Sequence, residues 1–132
     1  MTHPNEQRLR EAYDASARGD LAPLMNLLAD DVRWHASGRG PVAGGYSGKS
    51  GVLEFFARMG ALYGDTFRLE VLDIFANDAR GVVLTRERGE HGGRALEFRS
   101  AHIYEFDRGV CVRFMNFVDD AYDKFWQTAS PT

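Results

Sequence analysis

Apolar residues recur at helical spacing near the start of the chain and alternate with polar ones through most of the rest. Leu9, Ala12 and Tyr13, with Ala15 and Ala17 behind them, follow a helical period that begins after Pro4 and stops at Gly19. Asp20 is placed to cap a second helix, and Pro23 is tolerated in its first turn. Leu21, Leu24, Met25, Leu27 and Leu28 give that helix a broad buried stripe ending near Asp30. Val32, Trp34 and Ala36 alternate with Arg33 and His35, which predicts a short half-buried strand over 32–36. Gly38, Gly40, Pro41, Gly44, Gly45 and Gly48 argue against regular structure until Val52, Phe55, Phe56, Met59 and Leu62 resume the spacing of a third helix, closing near Gly64.

From Thr66 the period becomes two. Strands are expected over 66–76, 81–88, 94–106 and 110–118, and the joints at 77–80, 89–93 and 107–109 are short and rich in turn residues. Such joints make the four strands consecutive antiparallel neighbours, and helices followed by a strand meander give an α+β layout. Asp119 and Asp120 are expected to cap a short final helix through Trp126, with a frayed polar tail beyond. No internal repeat or linker divides the 132 residues, so 1–132 is read as one domain holding a core and one modest pocket. Lys plus Arg number 16 against 19 Asp plus Glu, a net charge of −3, which lacks the basic excess that nucleic acid requires. The lone Cys111 can make neither an internal disulfide nor a thiolate cluster, and no apolar run suits a signal peptide or membrane span. A cytoplasmic protein with no membrane or nucleic-acid partner is the expectation.

Alternation sorts the last two strands into faces. Leu96, Phe98, Ser100, His102, Tyr104 and Phe106 share one side; Val110, Val112, Phe114, Asn116 and Val118 share another, opposing Cys111, Arg113, Met115, Phe117 and Asp119. Pairing Phe106 with Val110 across the turn would set His102 opposite Phe114 and Ser100 opposite Asn116, three polar groups inside an apolar wall. Buried polar groups need partners, and a cluster short of them reads as a ligand site. His102 has the chemistry of a general acid/base near neutral pH; the alternative is a core histidine bonded to Ser100 or Asn116. Asn116 could hold a carbonyl or enolate oxygen through its amide, or make a structural bond to a neighbouring strand. Phe56 belongs to a core stripe from which one ring could reach the pocket. The opposite sheet face also carries Ile103, Met115 and Phe117, and a sheet apolar on both sides predicts a homodimer. Asp73, Arg86 and Glu87 stay unassigned, although Arg86 and Glu87 cannot both point inward on a regular strand.

Two motifs are set aside. Ala43-Gly44-Gly45-Tyr46-Ser47-Gly48-Lys49-Ser50 ends like a phosphate-binding loop, but no buried strand is expected before it and the later strands are antiparallel. His35 and His91 have no second ligand at metal spacing, so no metal and no cofactor is expected.

Five strings in order carry a family resemblance: Arg18-Gly19-Asp20; Ala29-Asp30-Asp31-Val32-Arg33-Trp34-His35; Gly45-Tyr46-Ser47-Gly48 leading into Val52-Leu53-Glu54-Phe55-Phe56; Ala101-His102-Ile103-Tyr104-Glu105-Phe106; and Asn116-Phe117-Val118-Asp119. From about Leu9 to Trp126 the chain resembles the SnoaL-like branch of the nuclear-transport-factor-2-like superfamily, which includes ketosteroid isomerases and polyketide cyclases. The resemblance implies a cone of three N-terminal helices on a strongly curved, mostly antiparallel sheet, with a deep internal pocket. It places Trp34 and Tyr46 where that fold closes its pocket mouth, with core packing the favoured role for Trp34 and ligand contact for Tyr46; Ser100, Tyr104, Phe114 and Val118, on the apolar faces by alternation, are the further candidate substrate contacts. The departures bear on the reaction. Ala36 matches the position of the ketosteroid isomerase base, His102 that of its protonated aspartate, and Tyr13 falls one residue out of register with its tyrosine. Asn116 replaces an epoxide-hydrolase aspartate, and no inward carboxylate stands out. Asp119 lies outward by alternation, with an inward turn at the strand end as the alternative. The expected function is a cofactor-independent isomerase, cyclase or hydro-lyase moving protons on a small apolar carbonyl-bearing ligand. The alternatives are a non-catalytic binding protein or an oligomerisation module.

Overall fold

The computed structural model describes residues 2–128; of the tail expected to fray after Trp126, Gln127 and Thr128 instead close the last helix, and 129–132 lie outside the described residues. Helix α1 (Pro4–Ala17) opens on Pro4 at its first turn, with His3 Nδ1 accepting from the Asn5 backbone amide. It ends in the paired bonds of a Schellman turn, Gly19 N–H to Ser16 O and Asp20 N–H to Ala15 O, with Gly19 at φ 82°. Asp20 then accepts from Ala22 N–H at the start of α2 (Ala22–Leu27).

Strand β1 (Leu28–Ala36) begins four residues earlier than alternation predicts and shortens α2 accordingly. The glycine-rich segment is not all loop. Gly44–Ser47 forms a short strand, β2, paired antiparallel with β1 through Trp34↔Tyr46, and α3 (Gly48–Tyr63) follows at once. The ladder to β1 and the burial of the Tyr46 ring supply what local propensity lacks there. A 3-10 turn (Gly64–Thr66) leads into β3 (Arg68–Ala76), β4 (Arg80–His91), β5 (Arg94–Asp107), β6 (Val110–Val118) and α4 (Asp120–Thr128).

The sheet order is β2-β1-β6-β5-β4-β3, with β1 and β6 parallel and every other pair antiparallel. The edge strands β2 and β3 do not pair, so the sheet curls without closing, and α1 and α3 lie in its hollow. Leu9, Ala12, Val32, Val52, Val83 and Cys111 are fully buried between the layers. Gly81 permits the approach of α1, because a Cβ there would sit 2.6 Å from Leu9 Cδ1.

One expected register is wrong. Asp107 pairs with Val110 across a two-residue turn in which Arg108 and Gly109 both have positive φ, the geometry that matches strand twist. Phe106 then pairs with Cys111 and Glu105 with Arg113, leaving Val112 as a bulge. His102 therefore faces Asn116, Tyr104 faces Phe114, and Ser100 faces Val118. The bulge also turns Cys111 inward and leaves Val110 and Val112 exposed, reversing the faces that strict alternation assigns to them. Among the described residues, no helix is long and apolar enough to cross a membrane.

Candidate functional site

A cavity of about 800 Å³ lies between the inner face of the sheet and the helices. One wall is aromatic. Trp34 on β1 stacks on Phe114 of β6, centroids 3.7 Å apart and planes 15° apart, while Phe55 and Phe56 of α3 meet the indole at 5.6 and 5.9 Å. Each such ring pair adds about 0.5–1.5 kcal/mol beyond the area it buries.

The adjoining wall, from α1, β4 and β5, carries a continuous chain of hydrogen bonds. Tyr13 Oη lies 2.6 Å from Tyr104 Oη and 2.6 Å from His102 Nδ1; His102 Nε2 lies 3.1 Å from Glu87 Oε2, which also accepts from Thr85 Oγ1 at 2.6 Å. Glu87 and His102 are 5% and 8% exposed, so this contact is shielded from bulk water. A carboxylate at Glu87 only accepts, which puts the proton of the neutral imidazole on Nε2 and leaves Nδ1 to accept from Tyr13. The Tyr13 oxygen in turn accepts from Tyr104, so every bond in the chain has one donor and one acceptor. Burial raises the Tyr13 hydroxyl well above the usual tyrosine range, with Tyr104 and Glu87 pushing it further, and burial likewise raises Tyr104. Both phenols remain donors at neutral pH.

Helix α4 and the loop after β1 complete the enclosure. Gly38 and Gly40 press against the Tyr122 ring: a Cβ on Gly40 would fall 2.2 Å from Tyr122 Oη, and one on Gly38 2.9 Å from the ring. Arg39 N–H donates to Asp123 Oδ1 at 2.8 Å, fastening the loop to the helix.

Of the residues singled out from sequence, His102, Asn116, Trp34, Phe56, Tyr104, Phe114 and Val118 all line this cavity. Asn116 Oδ1 accepts from Ser37 N–H at 2.8 Å, which leaves its amide hydrogens to donate elsewhere. Two others lie off it. Tyr46 is buried with its hydroxyl on Val42 O and its ring edge on Phe55, and it borders a separate shallow groove at the start of α3. Ser100 is buried opposite Val118 and does not reach the cavity, because the turn that pairs Asp107 with Val110 and the bulge at Val112 each shift the register by one and together move Asn116 from Ser100 to His102. The expected bonding of His102 to Ser100 or Asn116 is replaced by bonds to Tyr13 and Glu87. Trp34 is 3% exposed and sits in the inner wall, not at a mouth.

Thr85 is not singled out by the sequence, which leaves Glu87 unassigned and sets Tyr13 one residue out of register with the ketosteroid isomerase tyrosine; Tyr13 and Glu87 both line the cavity. Asp73 is exposed and Arg86 turns outward to Glu70 and Glu97, so the unassigned positions resolve with Glu87 inward. A signal for it existed: β4 must bury either Glu87 beside Thr85 or both Arg86 and Arg88, and burying one hydrogen-bonded charge is the lesser penalty. Asp119 is exposed, with Oδ2 accepting from Arg99 N–H; its side chain ties the end of β6 to β5 and does not cap α4. His35 is exposed, and His91 bonds Leu62 O and packs on Trp126.

Comparison with known proteins agrees with this geometry at the level of fold and family. An uncharacterised protein of Mycobacterium tuberculosis is 29% identical over 121 residues, covering 89% of this chain and 92% of its own. Bal32a, from a soil-derived mobile gene cassette, superposes with a TM-score of 0.83 at 30% identity over 92% of this chain and 95% of that one. An NTF2-like protein of unknown function from Burkholderia pseudomallei superposes with a TM-score of 0.83 at 28% identity, over 97% of this chain and all of the other. The SnoaL-like domain model matches residues 9–114, from the first buried turn of α1 to the Phe114 ring in the cavity wall, and the chain belongs to the SnoaL-like domain family.

Proposed function

We propose that the cavity is an acid/base site that moves protons on a flat, apolar, carbonyl-bearing small molecule, without a cofactor. The observation that carries this reading is the unbroken Tyr104–Tyr13–His102–Glu87–Thr85 chain in an otherwise apolar wall. Tyr13 and His102 both line the cavity and are bonded to each other. When a proton leaves the ligand for the Tyr13 oxygen, the Tyr13 hydroxyl proton passes to His102 Nδ1, and the imidazolium is held by the Glu87 carboxylate. The reverse transfer delivers a proton to a ligand oxygen or carbon. His102 thus acts through Tyr13, and Asn116, opposite His102 on β6, offers its amide to the developing oxyanion.

The test uses 2-tetralone in D₂O, with α-proton exchange followed by NMR. The protein is expected to accelerate exchange, and Tyr13→Phe and His102→Gln to remove about 10²-fold or more of that acceleration. Exchange no faster than in buffer, or unchanged in both variants, overturns the reading. A second reading, a non-catalytic carrier, is favoured by one observation: both His102 ring nitrogens are already bonded within the protein. It predicts saturable binding of 2-tetralone with no exchange.

The outer face of the sheet supports a homodimer as the working assembly. Phe75, Val82, Ile103 and Met115 form one row across β3 to β6, and Leu84, Ala101 and Phe117 continue the next from the exposed Asp73 at its β3 end; Phe75 and Phe117 are more than half exposed. Charges of both signs flank this band, Arg80, Glu105 and Arg113 on one side and Glu70, Arg86 and Arg99 on the other, an arrangement that is self-complementary under a two-fold axis. Four strands by six residues give about 400 Å² in projection, and side-chain relief brings this near the roughly 500 Å² per partner that a stable interface needs. Light scattering is expected to give twice the chain mass, and Phe117→Arg the single mass. A monomeric wild type sinks the dimer.

A further inference from the structure

Two polar atoms of the cavity wall are left open by the bonds around them. A carboxylate such as that of Glu87 has room for about four donors. Thr85 Oγ1 and the His102 ring both go to Oε2, at 2.6 and 3.1 Å. Oε1 has no partner among the described residues and is not fully enclosed. Because Glu87 is only 5% exposed, the space that Oε1 meets is the cavity the residue lines. Among the described residues no lysine or arginine pairs with Glu87, and Tyr63, on the same cavity, keeps its hydroxyl unpartnered. Asn116 is the counterpart. Its Oδ1 accepts from Ser37 N–H, which fixes the orientation of the amide and leaves Nδ2 without a partner among the described residues. Nδ2 too is not fully enclosed, and Asn116 lines the cavity. His102 lies between the two: Glu87 is bonded to its ring from β4, and Asn116 faces it from β6, a cross-strand relation that sets Cβ atoms about 4.5–5.5 Å apart. An open acceptor and an open donor thus stand on the strands either side of the imidazole.

We propose that Glu87 Oε1 accepts a hydrogen bond from a hydroxyl of the ligand while Asn116 Nδ2 donates to its carbonyl, so that the ligand class is a flat hydroxy-ketone with the two groups at opposite ends. This rests on the small-molecule reading of the cavity and deepens it by naming the second polar group of the ligand. A buried acceptor short of donors costs free energy, and a ligand hydroxyl removes that cost; hydrogen bonds to a carboxylate are about twice as strong as neutral ones. Oε2 stays with Thr85 and His102 throughout, so holding the hydroxyl leaves the chain of bonds in the wall undisturbed.

The probes are 6-hydroxy-2-tetralone and 6-fluoro-2-tetralone, close in shape, of which only the first can donate. Titration calorimetry is expected to show the hydroxy compound binding about tenfold tighter to the wild type. Glu87→Gln separates recognition from structure. Its single carbonyl oxygen is claimed by Thr85 and His102 in the place of Oε2, which turns its NH₂, a donor, to where Oε1 stood. The hydroxyl preference is expected to vanish in this variant, with a cooperative melt showing that it is folded. If the amide variant does not fold, Glu87→Asp, which draws the carboxylate back by one carbon, serves the same comparison and is expected to reduce the preference. Asn116→Ala is expected to weaken both probes alike, since both carry the carbonyl. Equal binding of the two probes by the wild type, which would mean that Oε1 serves solvent, or a preference that survives in the Glu87 variant, overturns the inference while leaving the pocket reading intact. If neither probe binds the wild type, the flat-carbonyl reading itself fails and the inference with it.

Discussion

The two walls of the cavity are made from one sheet yet are held in different ways. The β1/β6 wall, with Trp34, Phe114, Phe55 and Phe56, is held by ring packing, which is non-directional and degrades gradually when a ring is trimmed. The α1/β4/β5 wall is held by the Tyr104–Tyr13–His102–Glu87–Thr85 chain, in which each group satisfies the next and one loss strands a neighbour. The first wall sets the shape of the cavity; the second sets the polar groups it presents.

The sharpest way to break this contrast is His102→Leu, which leaves the buried Glu87 carboxylate with the Thr85 hydroxyl but without the imidazole. Urea unfolding is expected to show a loss of about 3–5 kcal/mol, and adding Glu87→Met to that variant is expected to restore most of it, since removing both partners removes the stranded charge. A double variant no more stable than His102→Leu would show that the chain is held by something other than charge pairing. The packed region has its own point of intolerance, where a group is added and not removed. Gly40→Ala drives a methyl into Tyr122 and is expected to cost about 1–3 kcal/mol, read as a lower melting temperature. Trimming is milder: Phe114→Leu is expected to cost no more than about 1.5 kcal/mol while weakening the binding of flat aromatic probes.

The smallest effect at neutral pH belongs to Tyr104→Phe, about 1 kcal/mol or less, and it grows into a difference at high pH. Unfolded tyrosines release their protons near 10, whereas burial holds Tyr104 and Tyr13 above that value and raises Tyr63 to about 12. Above pH 10 the unfolded chain therefore binds fewer protons than the folded one, and stability falls as pH rises. Tyr104→Phe is expected to make that fall shallower in urea titrations between pH 9 and 11, roughly the window these shifts define. An unchanged slope would mean Tyr104 ionises freely in the fold.

The elements were legible wherever one period ran long enough. The α1 and α3 stripes and the β3 to β6 meander follow directly from spacing, because one buried face dictates each of them. Strand β2 was hidden by its glycines, since what makes it a strand is the ladder to Trp34 and His35 and not its own propensity. The site was half legible. His102 and Asn116 were visible as polar residues on an apolar face, but the cross-strand partner of His102 was misread by two residues, one from the tighter turn at Arg108 and Gly109 and one from the bulge at Val112, which leaves no mark in the pattern of a short strand. Glu87 is separated from His102 by 15 residues and a hairpin, and only the β4/β5 register brings them together. Tyr13 lies on another element altogether, and its approach depends on the bare backbone at Gly81.

The bulge that helps move Asn116 to His102 also decides the chemistry of the lone thiol. By simple alternation from Phe114, position 111 would point to solvent, where a cysteine is open to oxidation and to alkylating reagents. The extra residue at Val112 turns it inward instead, to zero exposure, and burial raises its thiol to about 12, so almost none of it is thiolate at neutral pH. A backbone irregularity that aligns the site thereby also makes the protein resistant to redox damage at Cys111.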